Sequence, residues 1–175
     1  REHRKLALSI VIVMDRSGSM ATPASGGKTK MDLANLAASE VVNMLSPMDE
    51  VGVIAVDSSP HTIVNRTKVD DPAAVRNRIL RINSQGGGIF VNAGLTAGLD
   101  MLSGSALGTR HIILFSDARD SEQPGNYKQL IDTARRAGIT ISVIGLGTPG
   151  DVDAPLLRDI AKRGGGRIFF TEDAG

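Results

Sequence analysis

The apolar residues of this chain are concentrated in short runs, separated by longer intervals of mixed polarity. Five runs are rich in isoleucine and valine and mostly continuous, which is typical of strands covered on both faces. A sixth run alternates apolar and polar residues and follows Pro60, which favours an edge strand. The predicted strands span residues 6–14, 51–56, 62–66, 111–115, 139–146 and 167–170.

The intervals between these strands carry apolar residues three or four positions apart, the spacing of one helix face. These stripes lie at 34–45, 75–82, 91–102, 127–134 and 156–161. Asp71 and Pro72 predict a capped helix start, and Asp153 predicts another. Gly138 predicts a helix end. Segment 21–30, rich in Gly, Ser, Pro and Thr, is predicted to be a flexible loop.

Alternating strands and helices predict right-handed crossovers and parallel strands. The expected fold class is therefore α/β: a doubly wound, Rossmann-like, mostly parallel six-stranded sheet with helices on both faces. The run at 62–66 is expected to be the one antiparallel edge strand. A length of 175 residues predicts a single domain over residues 1–175. Because the sequence starts with Arg1, we expect it to be a domain excised from a longer protein.

Composition narrows the possible functions. The net charge is +1 and aromatic residues make up 3% of the chain, so we expect no nucleic-acid partner. The apolar run at 6–14 is too short to span a bilayer, so we expect no direct membrane insertion by this fragment. Cysteine is absent, which excludes disulfides and thiolate metal sites but leaves the compartment open.

Carboxylates and hydroxyls follow two of the predicted strands. Asp15, Ser17 and Ser19 come directly after the first strand, and Asp117 follows the strand at 111–115. In an open parallel sheet, ligands bind outside the carboxyl ends of the strands. Oxygen donors without nitrogen or sulfur suit a hard cation such as Mg²⁺. A set of helix caps and turn residues would show the same residue types, so that interpretation stays open.

The motif Asp15-x-Ser17-x-Ser19 at the end of a first apolar strand resembles the metal-ion-dependent adhesion site of von Willebrand factor A (VWA) domains. Essentially the whole chain takes part in the resemblance, including the glycine turn at 86–88 before Gly94 and the strand ending at Asp117. The resemblance implies that both serines bind the metal directly and that the aspartates act directly or through water.

The same resemblance implies a function. The domain is expected to be a protein–protein interaction module rather than an enzyme. A bound Mg²⁺, or Mn²⁺ or Ca²⁺, would recruit a partner protein through an exposed Asp or Glu. Other domains of the parent chain are further expected partners. The architecture is most similar to VWA domains of bacterial multidomain proteins, which favours an extracytoplasmic domain of a membrane-anchored protein.

One position departs from the family pattern. VWA domains place a metal-binding threonine after the glycine turn, and Ile89 stands there in this chain. Asn92 is a possible substitute ligand through its amide oxygen. The departure predicts weak cation binding at best, and it makes a metal-free interaction or scaffold domain the alternative function.

A third hypothesis is an Mg²⁺-dependent hydrolase of the aspartyl-phosphate type, with Asp15 as nucleophile. That chemistry usually uses a second acid two residues later, where this chain has Ser17. No lysine is expected at a matching strand end either. The sequence therefore predicts no hydrolase activity.

Overall fold

The computed structural model describes residues 7–119, 121–122 and 126–172. Its elements are β1 Leu8–Asp15, α1 Lys30–Asn43, β2 Glu50–Val56, β3 Pro60–Lys68, α2 Pro72–Leu80, β4 Ile89–Phe90, α3 Val91–Ser103, β5 Thr109–Ser116, β6 Ser121–Glu122, α4 Tyr127–Arg136, β7 Ile139–Gly145, α5 Ala154–Gly164 and β8 Gly165–Phe170.

The main sheet has six strands in the order β3-β2-β1-β5-β7-β8. All neighbouring strands are parallel except β2 and β3, so β3 is the antiparallel edge strand. This confirms the predicted fold class. The observed strands lie within a few residues of the predicted ones, and β3 is longer than expected because it continues to Lys68. Residue 6, the predicted start of the first strand, lies outside the described residues.

Helices cover both faces of the sheet, and alternate residues of β1 pack into the apolar cluster on one face or on the other. Val11 and Val13 belong to an apolar cluster that also includes residues of α3, α4 and α5. Ile10 and Ile12 belong to a second cluster that includes residues of α1 and α2. The continuous apolar run from Ile10 to Met14 in β1 follows from this double burial, because neither face of the strand meets water.

The sequence predicts an aspartate cap at the start of α2 and another at the start of α5, and only the first forms the capping hydrogen bond. Asp71 caps α2 as predicted, since its side chain accepts a hydrogen bond from Ala74 N. The expectation for Asp153 is wrong: it stands at the N-cap of α5, but its side chain makes no capping hydrogen bond. Its φ and ψ of −94° and 0° differ from the extended conformation that lets an N-cap side chain reach the next turn.

The structure also contains a small sheet that the apolar pattern did not indicate. β4 and β6 form a parallel pair of two residues each, with Ile89 opposite Ser121. This pair lies beside the carboxyl ends of the main strands and positions Ile89. Within the described part of the chain, no helix is both long and apolar enough to cross a membrane.

Candidate functional site

The predicted site residues converge at the carboxyl ends of two neighbouring strands. β1 ends at Asp15, and Asp117 follows the last residue of β5, with the two strands paired in register. Ser17 Oγ donates to Asp15 Oδ1 at 2.6 Å, and Ser19 Oγ donates to Asp117 Oδ1 at 3.0 Å. The two serine hydroxyls lie 3.4 Å apart. Because each hydroxyl donates its single proton to a carboxylate, the cluster consists of two adjacent hydrogen-bonded pairs, Ser17 with Asp15 and Ser19 with Asp117.

Asp15 is fully buried and depends on donors from both strand ends. Its Oδ1 accepts from Ser17 N at 2.8 Å as well as from the Ser17 hydroxyl. Its Oδ2 accepts from Ser116 Oγ at 2.7 Å. Burial raises the pKa of Asp15 to about 6, even though these three hydrogen bonds act in the opposite direction.

Ser116 is a residue of the site that the sequence analysis did not select. Besides donating to Asp15, its Oγ accepts from Ala118 N at 2.8 Å. Ala118 has a φ of +56°, a conformation uncommon for a residue with a Cβ. The resulting turn allows Arg119 N to donate to Asp117 Oδ1 at 3.0 Å. Ser116 therefore donates a hydrogen bond to the Asp15 carboxylate, and the turn that follows it supplies a backbone donor to the Asp117 carboxylate.

Lys30 is the second residue that the sequence analysis missed. Its Nζ donates to Asp117 Oδ2 at 3.0 Å, and the two side chains are 10% and 1% exposed. The sequence analysis expected no lysine at a matching strand end, and Lys30 indeed lies on α1, but its side chain extends to the carboxylate that follows β5. Lys30 escaped notice because it follows β1 by a 14-residue connection, yet α1 begins at this residue and carries its side chain over the strand ends.

Segment 21–30 was predicted to be a flexible loop, but its two ends are anchored. A backbone bridge joins Pro23 to Thr29, and Lys30 N donates to Thr22 O at 3.0 Å. Thr29 and Asp32 form a reciprocal capping box at the start of α1. The capping-box spacing Thr-x-x-Asp was visible in the sequence and could have placed Lys30 at the first helical position.

The glycine turn at 86–88 supports the loop that carries the serines. Gly18 N donates to Gly87 O at 2.9 Å, and Ser84 Oγ donates to Ser17 O at 2.7 Å. Gly87 has a φ of +78°, which glycine adopts without the steric cost of a Cβ. These bonds fix the Ser17–Ser19 segment from the side opposite β5.

Ile89 and Asn92 follow this turn in sequence, and neither side chain takes part in the hydrogen bonds described for the cluster. Ile89 is fully buried in the core that contains α3 and presents only carbon atoms. Asn92 lies on α3 and lines a cavity between α3 and α4. Among the described residues, its buried Oδ1 has no hydrogen-bond partner, and no hydrogen bond joins it to Asp15, Ser17, Ser19 or Asp117.

A cavity of about 810 Å³ opens beside the Lys30–Asp117 pair. Its lining contains more acidic than basic side chains and one strongly exposed apolar residue. The lining residues are Lys30, Arg119, Ser121, Asp151, Val152, Asp153, Leu156 and Glu172. Val152 is 92% exposed, an unusual degree for an apolar side chain beside a concave surface. A partner could therefore combine polar and apolar contacts at this position.

The comparison with protein families decides the classification. The family model of the von Willebrand factor type A domain matches residues 9–175. The chain belongs to the VWA family. VWA domains are a family known for protein–protein interaction. No curated protein matches this VWA domain.

Solved structures share its fold at low sequence identity. BatB, a conserved hypothetical protein from Bacteroides thetaiotaomicron, has a TM-score of 0.81 at 20% identity, covering 96% of this chain and 92% of that chain. An aerotolerance-related membrane protein from Bacteroides fragilis has a TM-score of 0.80 at 19% identity, with coverages of 95% and 92%. Proximal thread matrix protein 1 from the mussel byssus, solved with a zinc-occupied adhesion motif, has a TM-score of 0.74 at 16% identity, with coverages of 95% and 42%.

The donors of the site fit a divalent cation only in part. Both oxygens of Asp15 and both oxygens of Asp117 already accept hydrogen bonds from the chain. Ile89, at the position expected for the family threonine, presents only carbon atoms. The Lys30 ammonium lies 3.0 Å from Asp117 Oδ2. No cluster of three or more histidine or acidic side chains in the described ranges is arranged to hold a metal ion. Mg²⁺ usually keeps several waters among its six oxygen ligands, so the feature that disfavours a cation here is the ammonium beside Asp117 and not the number of side-chain oxygens.

Proposed function

We propose that this VWA domain is a protein–protein interaction module whose partner docks on the strand-end face. That face lies over the largely buried cluster of Asp15, Ser17, Ser19, Lys30 and Asp117 and includes the neighbouring cavity. The observation that carries the proposal is the clustering of two hydrogen-bonded pairs, Ser17 with Asp15 and Ser19 with Asp117, whose hydroxyl oxygens lie 3.4 Å apart at neighbouring strand ends. Membership of a family of interaction modules supports it.

In one form of this function, a divalent cation mediates the contact. Asp15, Ser17, Ser19 and Asp117 would hold Mg²⁺, Mn²⁺ or Ca²⁺, with Asn92 as a substitute ligand. The cation would take an Asp or Glu of the partner as its last ligand. The zinc-occupied motif in the mussel protein supports metal binding by this fold. Four protein side chains without the threonine would bind such an ion weakly.

In the other form, the face binds its partner without metal. The buried contact between Lys30 and Asp117 favours this form, because it places a positive charge at the cluster. The buried carbon side chain of Ile89 favours it as well, because a ligand is missing. We therefore propose the metal-free form as the function of this chain.

The cellular setting is a proposal by analogy of fold. The aerotolerance-related protein from Bacteroides fragilis is a membrane protein with a domain of this architecture. We propose that this chain is an extracytoplasmic domain of a membrane-anchored bacterial protein, and that other domains of its parent are among its partners.

The docking face can be tested with two matched surface variants. Val152→Asp places a charge on the strand-end face, and Met48→Asp places one just before the amino end of β2. The two residues are 92% and 62% exposed. The immobilised domain is incubated with an extract of the source organism, and the retained proteins are identified by mass spectrometry. We expect a partner that is retained by wild type and Met48→Asp and at least about tenfold less by Val152→Asp, since a buried charge in an interface costs more than 1.4 kcal/mol. Equal retention by all three would contradict docking on this face.

We propose that the domain has no hydrolase activity. Asp15 has no exposed surface, and both its oxygens accept hydrogen bonds, so an incoming phosphoryl group finds no free nucleophilic oxygen. Lys30 contacts Asp117 and not Asp15. Assays with aryl phosphates and Mg²⁺ should give no turnover above buffer. Turnover that disappears in Asp15→Asn would instead establish the aspartyl-phosphate mechanism.

A further inference from the structure

We infer that the Lys30 ammonium takes the place of the divalent cation at the adhesion site, so that the chain itself supplies the positive charge of the strand-end face. The inference rests on the proposed function only in assigning this face to a partner. The arrangement of Lys30, Asp117 and Ile89 carries it on its own.

The Lys30–Asp117 pair is buried and links distant parts of the sequence. The two residues are 87 positions apart, and their side chains are 10% and 1% exposed. A charge removed from water needs a partner of opposite sign, because an unpaired buried charge is strongly destabilising. The ammonium provides that partner for Asp117, which is the electrostatic role that a bound cation has for carboxylates.

The backbone holds Lys30 in this position. Thr22 O accepts a hydrogen bond from Lys30 N, and the capping box of Thr29 and Asp32 fixes the first turn of α1. The bridge between Pro23 and Thr29 restrains the preceding segment. The lysine is therefore anchored at its backbone as well as at its Nζ, and it is not a surface side chain that happens to fold inward.

The ammonium also opposes a second cation. An Mg²⁺ ion bound to Asp117 Oδ2 at about 2.1 Å would lie within about 5 Å of a Lys30 Nζ that is 3.0 Å from the same oxygen. Like charges at that separation repel strongly where water is excluded. Ile89 removes the oxygen that would help the ion to overcome this repulsion. The ammonium of Lys30 and the carbon side chain of Ile89 therefore act in the same direction.

The experiment combines two substitutions, Lys30→Met and Ile89→Thr, as single variants and as a double variant. Lys30→Met keeps an unbranched apolar stem and removes the charge, and Ile89→Thr restores the family hydroxyl. Thermal melting of wild type, both single variants and the double variant is measured with EDTA and with about 10 mM Mg²⁺ or Mn²⁺. Lys162→Met, a change at an exposed lysine of α5, is the matched control.

We expect the cations to leave the melting temperatures of wild type, Lys162→Met and Ile89→Thr unchanged. They should raise that of the double variant by about 5–11 °C, the shift expected when the ion is present at roughly a hundred times its Kd. Lys30→Met alone should show a smaller rise. A cation-dependent rise in wild type or in Ile89→Thr would overturn the inference, because the ammonium would then not exclude the ion. Absence of any rise in the double variant would overturn it as well.

If the Lys30→Met chains do not fold, Ile89→Thr decides the question. This variant has the full family donor set and retains Lys30, and Mn²⁺ binding to it is measured by water-proton relaxation. Binding overturns the inference, and absence of binding supports it. These results are independent of the capture experiment with Val152→Asp, so failure of the proposed docking face and failure of the lysine substitution can be told apart.

Discussion

Replacing Gly166 with alanine is expected to lower the free energy of unfolding by about 3 kcal/mol, at the upper end of the cost of overpacking. Gly166 is the second residue of β8, the edge strand beside β7. A Cβ at this position would lie 2.2 Å from Ile141 O and 2.4 Å from Ser142 Oγ. The carbonyl is part of the sheet backbone, so it cannot move away as a flexible side chain would. Strand β8 must shift instead.

The measurement is chemical denaturation together with thermal melting, where this loss corresponds to about 6–12 °C for a domain of this size. Gly108→Ala is the matched control: no atom lies within 4 Å of a Cβ built there, and its backbone is not left-handed. We expect the control to be neutral or slightly stabilising, because alanine restricts the unfolded chain. Equal stability of the two variants would mean that β8 does not pack against β7 as described.

The order of the elements could be predicted because each strand of the main sheet has its own sequence pattern. The first strand is continuously apolar from Ile10 to Met14, and both of its faces are covered by helices. Parallel strands joined by helices then place Asp15 and Asp117 at one edge of the sheet. Local patterns and topology together were sufficient to predict this half of the site.

The remainder of the site depends on contacts between distant segments, which no local pattern encodes. Lys30 reaches Asp117 only because the connection from β1 is bridged at Pro23 and Thr29, and its Gly- and Ser-rich composition indicated flexibility instead. Strands β4 and β6 contain two residues each, too few for a periodic pattern. In Ser116, the sequence showed a hydroxyl at a strand end but not that both its donor and acceptor functions are used.

The expectation for metal binding also depends partly on local sequence and partly on contacts between distant segments. The motif from Asp15 to Ser19 indicates the family, and Ile89 was recognised as a departure from it. A missing ligand alone predicts only a weaker metal site. The presence of an ammonium at the carboxylate changes the expectation from weak binding to exclusion, and that ammonium was found only in the structure. A family motif can therefore persist in sequence while its charge is supplied by another residue.

Replacing Asp15 with alanine is expected to destabilise the domain by about 3–5 kcal/mol, because it leaves several buried donors without an acceptor. Ser17 N, Ser17 Oγ and Ser116 Oγ all donate to this carboxylate. Asp15 is fully buried, so water cannot replace the lost acceptors without a cavity large enough to admit it. The loss should be present with EDTA, since these donors belong to the protein and not to an ion.

Two further variants give this prediction its controls, and urea denaturation in EDTA measures all three. Asp15→Asn keeps one acceptor oxygen for Ser17 and should lose about half as much, because fewer donors are left unpaired. Asp71→Ala removes an exposed carboxylate that caps α2 and should cost about 1 kcal/mol. If Asp15→Ala cost no more than Asp71→Ala, the hydrogen bonds at the end of β1 would not stabilise the fold. A large loss that appeared only when Mg²⁺ was present in the wild-type reference would instead mean that Asp15 acts through a cation.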